Sequence, residues 1–376
     1  MLQIWMLSGA MMTSIPVEEL ENLRDVRGLK QHLNQVHGVA PRFRQRLLLH
    51  GESLVETVML RAPMDLHLVV LPFADVFDSQ VVDLVSAAEQ GSVVEVESRL
   101  QLPQDPDRPD PDGRTALMSA SGEGHVEIVH LLLEAGASTD LADNDRYTAL
   151  MVASGQGHVE VARSLLEAGA NQDRANAQGQ TALIWASDEG HVEIVHLLLE
   201  TGAATDLADD GGQTALMRAS EGGHVEIVRL LLEAGANKDV AGNYGYTVLM
   251  AASGAGHVEI VRLLVEAGTN KDAADLYGYT ALIFASGAGH VFVVRLLLEA
   301  GAKPDLADNM GRTALTRASG QGHVDIVHIL LQAGAKDVAD TAFKAASDAG
   351  HAEIIRLLLE AKPNKDIVTT TSTQLG

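Results

Sequence analysis

A 33-residue period constrains this chain more than any other feature. Gly-His-Val begins at Gly124, Gly157, Gly190, Gly223, Gly256, Gly289 and Gly322. Each copy follows Thr-Ala-Leu or a near copy (Thr115, Thr148, Thr181, Thr214, Thr247, Thr280, Thr313), and a second glycine closes each unit, from Gly136 to Gly334. A unit this short cannot bury its own apolar face, so neighbouring units must stack to be stable. Aromatic residues make up only 3% of the chain. That is less than a closed core usually recruits, and stacked helices of Ala, Leu and Val do not need more.

The copy from Asp143 to Ala175 shows the local logic. Thr148 stands where it can cap a short helix carrying Ala149, Leu150, Met151 and Ala153, small and apolar enough for close helix approach. Gly157 supplies a positive-φ turn. A second helix, His158 to Ala168, puts Val159, Ala162, Leu165 and Leu166 on a buried stripe, and Gly169 ends it as a left-handed cap. The segment joining one unit to the next is short and polar, which suits a projecting hairpin. This period and internal order resemble the ankyrin repeat. The resemblance implies a solenoid whose hairpins and first helices line a concave protein-binding surface. The usual Thr-Pro-Leu-His becomes Thr-Ala-Leu-Met or Thr-Ala-Leu-Ile (Met118, Ile184, Met217). The histidine network that ties neighbouring first helices in many ankyrins is therefore expected to be missing, with methionine packing in its place.

The register extends beyond the regular copies. Gly91-Ser92-Val93 is in phase, and Val82 to Leu100 reads as a degenerate first helix pair. Gln101 to Pro111 holds four of the ten prolines and should be extended. At the far end Gly350-His351 arrives with part of a hairpin missing, Lys362 replaces the closing glycine, and a Thr-rich tail is expected to be disordered.

The first seventy residues differ in kind. Leu2 to Met6 and Asp65 to Val70 read as strands, and Val26 to His37 has helical spacing at Val26, Leu29, Leu33 and Val36. Then follow Ala40-Pro41 and Gln45-Arg46-Leu47-Leu48-Leu49-His50-Gly51-Glu52-Ser53-Leu54. Order and spacing over Met1 to Pro72 resemble ubiquitin. The resemblance implies an apolar recognition patch at Leu48, His67 and Val69, and a module that is not conjugated, since no Gly-Gly terminus ends it. The alternative is a β-grasp cap whose apolar face packs on the solenoid. The fold expected is thus mainly α: an ankyrin-repeat solenoid of about nine repeats counting its caps, preceded by a small α+β ubiquitin-like domain. The boundaries expected are a ubiquitin-like domain at 1–73, a linker and N-terminal capping repeat at 74–111, seven regular repeats at 112–336, a shortened capping repeat at 337–362 and a tail at 363–376.

A net charge of −24 argues against nucleic acid and against anionic membranes, both of which call for a basic face. No stretch approaches the ~20 apolar residues of a membrane span, and the apolar start, Met1 to Pro16, reads as strand and not as a signal peptide. Cysteine is absent, which fits a reducing compartment; a cytoplasmic or nuclear setting is expected. Eight of the 15 histidines begin second helices, and His130, His196 and His328 share another fixed position. Metal ligands converge, whereas these are spread one per layer, so they read as structural, capping helices. Glu127, Glu160, Glu193, Glu226 and Glu259 precede a basic position by three residues, with Glu134, Glu167, Glu200, Glu233 and Glu266 four after it, an exposed ion ladder on the outer helices. No phosphate loop, nucleophile elbow or kinase signature is present. The chain is expected to be no enzyme and to hold no cofactor or metal.

Positions that vary between copies are those the stack does not dictate. The residue before each helix-starting Thr varies, including Arg114, Tyr147, Tyr246, Tyr279 and Arg312. So does the residue four beyond it, including Trp185, Arg218, Phe284 and Arg317. All five tyrosines fall in hairpin segments, with Tyr244, Tyr246, Tyr277 and Tyr279 matched in adjacent repeats, and Tyr is a favoured hot-spot residue. Towards the N-terminal side the same surface turns acidic through Glu123, Asp143, Asp145, Asp188, Glu189, Asp209, Asp210 and Glu221. The expected partner is a protein client offering an apolar anchor beside a basic segment. The leading reading is an adaptor that holds this client in its groove and reaches a ubiquitin-pathway receptor through its head. The competing one is a passive scaffold or anchor with the head as a cap.

Overall fold

The computed structural model describes residues 1–73, 78–102, 104–336 and 341–361. Lys362, the 363–376 tail and the 337–340 segment of the shortened hairpin lie outside the described residues, as do 74–77 and Pro103. The chain divides into two compact units, Met1–Ala177 and Gln178–Gly376, which are taken in turn.

The first unit opens with strands β1 (Leu2–Met6) and β2 (Met11–Ile15), a short helix α1 (Val17–Leu23) and the longer α2 (Val26–His37). Strands β3 (Gln45–Leu49), β4 (Glu52–Ser53) and β5 (Met64–Val70) follow. The sheet order is β2-β1-β5-β3-β4, with β1 and β5 parallel and the other pairs antiparallel. Period-two alternation sends Leu2, Ile4, Leu47, Leu66 and Leu68 inward to meet Val26, Leu29 and Leu33 of α2. Asp25 starts α2 by accepting a hydrogen bond from the Gly28 amide, and Gly38 ends it in the left-handed conformation. Val36, expected on the buried stripe, is exposed instead; α2 fills the sheet with one turn fewer than the spacing suggests. This mixed five-stranded sheet with one long helix across it is compatible with a ubiquitin-like head.

Helices α3 (Asp78–Glu89) and α4 (Val93–Leu100) form the pair expected between Val82 and Leu100, and the regular pairs begin with α5 (Ala116–Gly122) and α6 (Val126–Glu134), then α7 (Ala149–Gln156) and α8 (Val159–Glu167). The second unit continues in pairs: α9 (Ala182–Asp188) with α10 (Val192–Glu200), α11 (Ala215–Gly222) with α12 (Val225–Glu233), α13 (Val248–Ala255) with α14 (Val258–Glu266). Next come α15 (Ala281–Ala288) with α16 (Val291–Glu299), α17 (Ala314–Gln321) with α18 (Val324–Gln332), and α19 (Thr341–Ala349) with α20 (Ala352–Ala361).

Every regular pair starts alike. The Thr hydroxyl accepts from the backbone N–H three residues on, at Thr115, Thr148, Thr181, Thr214, Thr247, Thr280 and Thr313. In α8 the buried stripe is Val161, Ala162 and Leu165, while Val159 and Leu166, assigned to it from spacing, are half-buried.

The histidines differ from expectation in a way that matters for the stack. They sit at the N-terminal boundary of each second helix but make no capping bond there. Instead His125, His158, His224, His257, His290, His323 and His351 reach back to a carbonyl of the preceding helix pair. His158 Nε2 lies 2.9 Å from the Gly122 carbonyl oxygen, and His257 and His290 lie 2.9 Å from those of Glu221 and Gly254. A carbonyl only accepts, so the ring carries its proton on Nε2. Within each unit the repeats are thus tied by a histidine column at a different position from the one the Thr-Pro-Leu-His pattern uses. Glycine makes room for it: Gly256 stands at φ +82°, and a Cβ there would come within 2.5 Å of His290 Nδ1. The position left by the usual histidine is filled by buried Met118, Ile184 and Met217.

Candidate partner-binding surfaces

Aspartates close most of the hairpins, while the one carrying Tyr244 and Tyr246 has Gly242 at that position and is closed by backbone bonds alone. Asp275 Oδ1 accepts from the amides of Tyr277 and Tyr279, at 2.9 and 2.7 Å, and the Asp275 amide donates to the Tyr279 carbonyl, closing the turn. Successive hairpins are then joined by single backbone bonds: Asn243 N–H to Gly211 O, Leu276 N–H to Tyr244 O, and Asn309 N–H to Tyr277 O. This edge-on ladder lines up residues spaced one repeat apart.

Two aromatic groups result in the second unit. Tyr244 and Tyr277 stack at the hairpin tips, ring centroids 6.3 Å apart, 64% and 57% exposed. Deeper, towards the first helices, Tyr246 meets Phe284 edge-on at 5.6 Å and Tyr279 meets it at 5.4 Å. Arg317 lies over the Tyr279 ring at 4.7 Å, and both Arg317 and Arg312 donate to the Tyr279 hydroxyl. Asp308, almost fully buried, binds the Arg312 Nε at 2.8 Å and Arg317 at 3.3 Å. Arg218 repeats this arrangement at a matched position, 2.7 Å from Asp209. Burial raises the Tyr246 phenol to about 12, helped by the negative charges of Glu221 and Asp275.

Of the groove residues named from sequence, Tyr246, Tyr279, Phe284, Arg312 and Arg317 therefore form one contiguous cluster, with the Tyr244–Tyr277 stack beside it. Trp185 is half-buried on α9. Arg114 and Tyr147 belong to hairpins of the other unit, exposed and half-buried respectively. The acidic flank needs one correction. Asp209 is buried, with one oxygen on Arg218 and the other accepting from the Gln213 amide, so it holds the hairpin together and offers no open charge. Asp143 likewise accepts from the Asp145 and Tyr147 amides, whereas Asp188, Glu189, Asp210 and Glu221 are exposed. Met310 was not singled out in the sequence, yet it is 76% exposed at the hairpin tip one repeat beyond Tyr277. Residues 244, 277 and 310 share a register, so the period places Met310 on the row of the stacked tyrosines although it is not aromatic.

In the head, strand register decides which side chains share the outer face. Leu48 lies opposite His67, which is opposite Trp5 on the next strand, and Val69 lies opposite Arg46. Trp5, His67 and Leu48 therefore form a row across three strands, with Val69 two residues along from His67. His67 is exposed and the other three are half-buried. Trp5 joins the expected patch only because β1 and β5 pair in parallel at this register, which no local pattern reveals.

The ion ladder on the outer helices is partial. Arg229 with Glu226 and Arg262 with Glu259 pair at 3.6 and 3.4 Å on exposed faces. Glu134 does something else: it turns to the head, where it meets Arg42 and Gln31. Among the described residues no helix is long and apolar enough to cross a membrane, and no group of His, Cys, Asp or Glu is placed to hold a metal ion.

A family model described as ankyrin repeats (3 copies) matches residues 84–176, 170–242, 234–308 and 301–371, well over half of the chain. No curated protein matches it.

Proposed function

The chain belongs to the ankyrin-repeat family, whose repeats are protein–protein interaction modules and generally not enzymes, and on that premise we propose that it is a non-catalytic adaptor that captures a protein client on the hairpins and first helices around Tyr244 to Arg317. One observation carries this reading: the tyrosines, scarce elsewhere, form an exposed stack beside a half-buried aromatic cluster. Tyr offers large, rigid contact area with a polar tip, which suits a binding hot spot. Tyr244 adds weight. It is held at φ +64°, a left-handed conformation that costs a bulky residue ~1–2 kcal/mol and that glycine adopts freely. In that conformation its ring lies stacked on Tyr277 and open to solvent.

The client class that fits is a segment with an apolar anchor beside basic residues, since Asp188, Glu189, Asp210 and Glu221 flank the aromatic group with open negative charge. The head supplies the second half of the proposal. Its Trp5, His67, Leu48 and Val69 face would engage a receptor of the ubiquitin pathway, so that the protein joins a client to that machinery. The work is assigned to the cytoplasm or nucleus.

Replacing Tyr244, Tyr246, Tyr277 and Tyr279 together by Ala should abolish client capture from cell extract while the circular-dichroism spectrum stays that of the parent. Undiminished capture would overturn the groove assignment. Leu48→Asp should remove a separate set of bound proteins and leave the client in place. If every interaction survives Leu48→Asp, the head is a cap and the scaffold reading replaces the adaptor.

A further inference from the structure

Arg42, in the turn between α2 and β3, is a fully buried cation, and each of its three guanidinium nitrogens meets a carboxylate from a different part of the chain. Nη1 pairs with Glu56 of the head itself. Nη2 lies 3.4 Å from Glu97 on α4, and Nε lies 2.7 Å from Glu134 on α6, an ion contact outside hydrogen-bond geometry. Its side chain is fully shielded from solvent. Two further head cations close the network: Arg27 pairs with Glu97 and Glu56, and Lys30, almost fully buried, lies 3.0 Å from Glu56. Three cations thus meet three carboxylates, and two of the carboxylates belong to the helical array.

Shape accompanies charge. Gly136, which follows α6, stands at φ +90°, and a Cβ there would come within 2.8 Å of Pro41 Cγ. Gln31 donates to Glu134, and Arg46 donates to the Gln101 carbonyl at 2.8 Å. Apart from Glu56, in the segment between β4 and β5, these head residues lie on α2, on the turn that follows it, or at the near end of β3. The row Trp5, His67 and Leu48 contributes none of them.

We propose that the head is locked onto the first helix pairs through Arg42, with Glu97 and Glu134 as its socket, so that head and repeats 84–177 move as one body and the outer sheet face is presented in a fixed orientation. The Arg42 side chain is fully shielded, so its pairs are screened less by salt than the half-exposed Arg27–Glu97 pair, and the lock holds at high ionic strength. It is opened by removing array carboxylates: without Glu97 and Glu134 the head would bring three cations to one carboxylate, and their mutual repulsion in a shielded setting expels it. At the positions one and two repeats beyond Glu134, Glu167 and Glu200 are exposed, so the array's own fold does not require an acid there. This inference is independent of what the outer face binds.

The test uses the full chain, in which the absence of cysteine allows spin labels to be placed freely, at Glu18→Cys on α1 and Glu160→Cys on α8. Pulsed electron-electron resonance should give one narrow distance, unchanged by high salt. In Glu97→Gln/Glu134→Gln the distribution should broaden several-fold, and amide exchange in α4 and α6 should quicken. Glu127→Gln/Glu193→Gln, with the same change of charge on exposed sites of the outer helices, should behave as the parent. Trp5 fluorescence, isolated by Trp185→Phe, checks that the head stays folded in each variant. A narrow distance in the Glu97/Glu134 variant with native Trp5 emission overturns the proposal, and so does a broad distance in the parent.

Discussion

One serine in each regular repeat, from Ser121 to Ser319, is fully buried on the inner side of a first helix, and its hydroxyl finds no hydrogen-bond partner among the described residues. A buried hydroxyl left unpaired costs about 1–3 kcal/mol, and Ala is also the better helix former. Ser220→Ala should therefore raise stability by roughly 1 kcal/mol, read as a higher urea midpoint at constant slope. Histidine shows the opposite sign. His257→Ala removes the tie to the Glu221 carbonyl and should lower stability by ~1 kcal/mol or somewhat more. The repeat marks the place of these histidines, and position alone suggests capping. Their real partner is a carbonyl 36 residues earlier, and a bond across that separation has no local signature.

At the scale of elements, helices and hairpins were legible because each is fixed by short-range chemistry: a Thr cap, a left-handed glycine, an aspartate that closes a turn. The bounds of α2, Val26 to His37, are those its spacing predicts, although its last turn carries Val36 outward. Which side chains the hairpins bring together was less legible, since Tyr279 meets Arg312 and Arg317 only through the bonds between neighbouring turns. One consequence is measurable. Burial raises the Tyr246 phenol to about 12 from the ordinary 10.0. Between those values the unfolded chain loses its proton first, so the folded state holds more protons and stability falls as pH rises. Below pH 10 this contribution is fully present. Tyr246→Phe should flatten that fall in the alkaline limb of a stability profile; an identical slope in parent and variant would mean that Tyr246 is more open to water than its packing indicates.

For the whole molecule, charge is the dominant fact. With a formal net charge of −24, association with a client bearing a basic segment should slow steeply as salt is added, because long-range steering is screened beyond ~10 Å at 0.1 M ionic strength. Stopped-flow association rates across a salt series test this, and a flat series would count against a basic client. The dissociation rate should change less, since it reports the buried aromatic contacts. By itself the sequence determined the solenoid, its register, the strands and helix of the head, and the rows of variable positions. It did so because repetition and periodicity are local properties, copied seven times. Only the tertiary structure decided what depends on pairing at a distance. The parallel register of β1 and β5 brings Trp5 beside His67. The hairpin ladder gathers Tyr246, Tyr279, Phe284 and Arg317. Glu134, by pattern one more rung of an exposed ladder, is taken up by a buried arginine in the head. Long-range pairing selects among residues that look equivalent in the sequence, and that selection becomes visible only once the chain is folded.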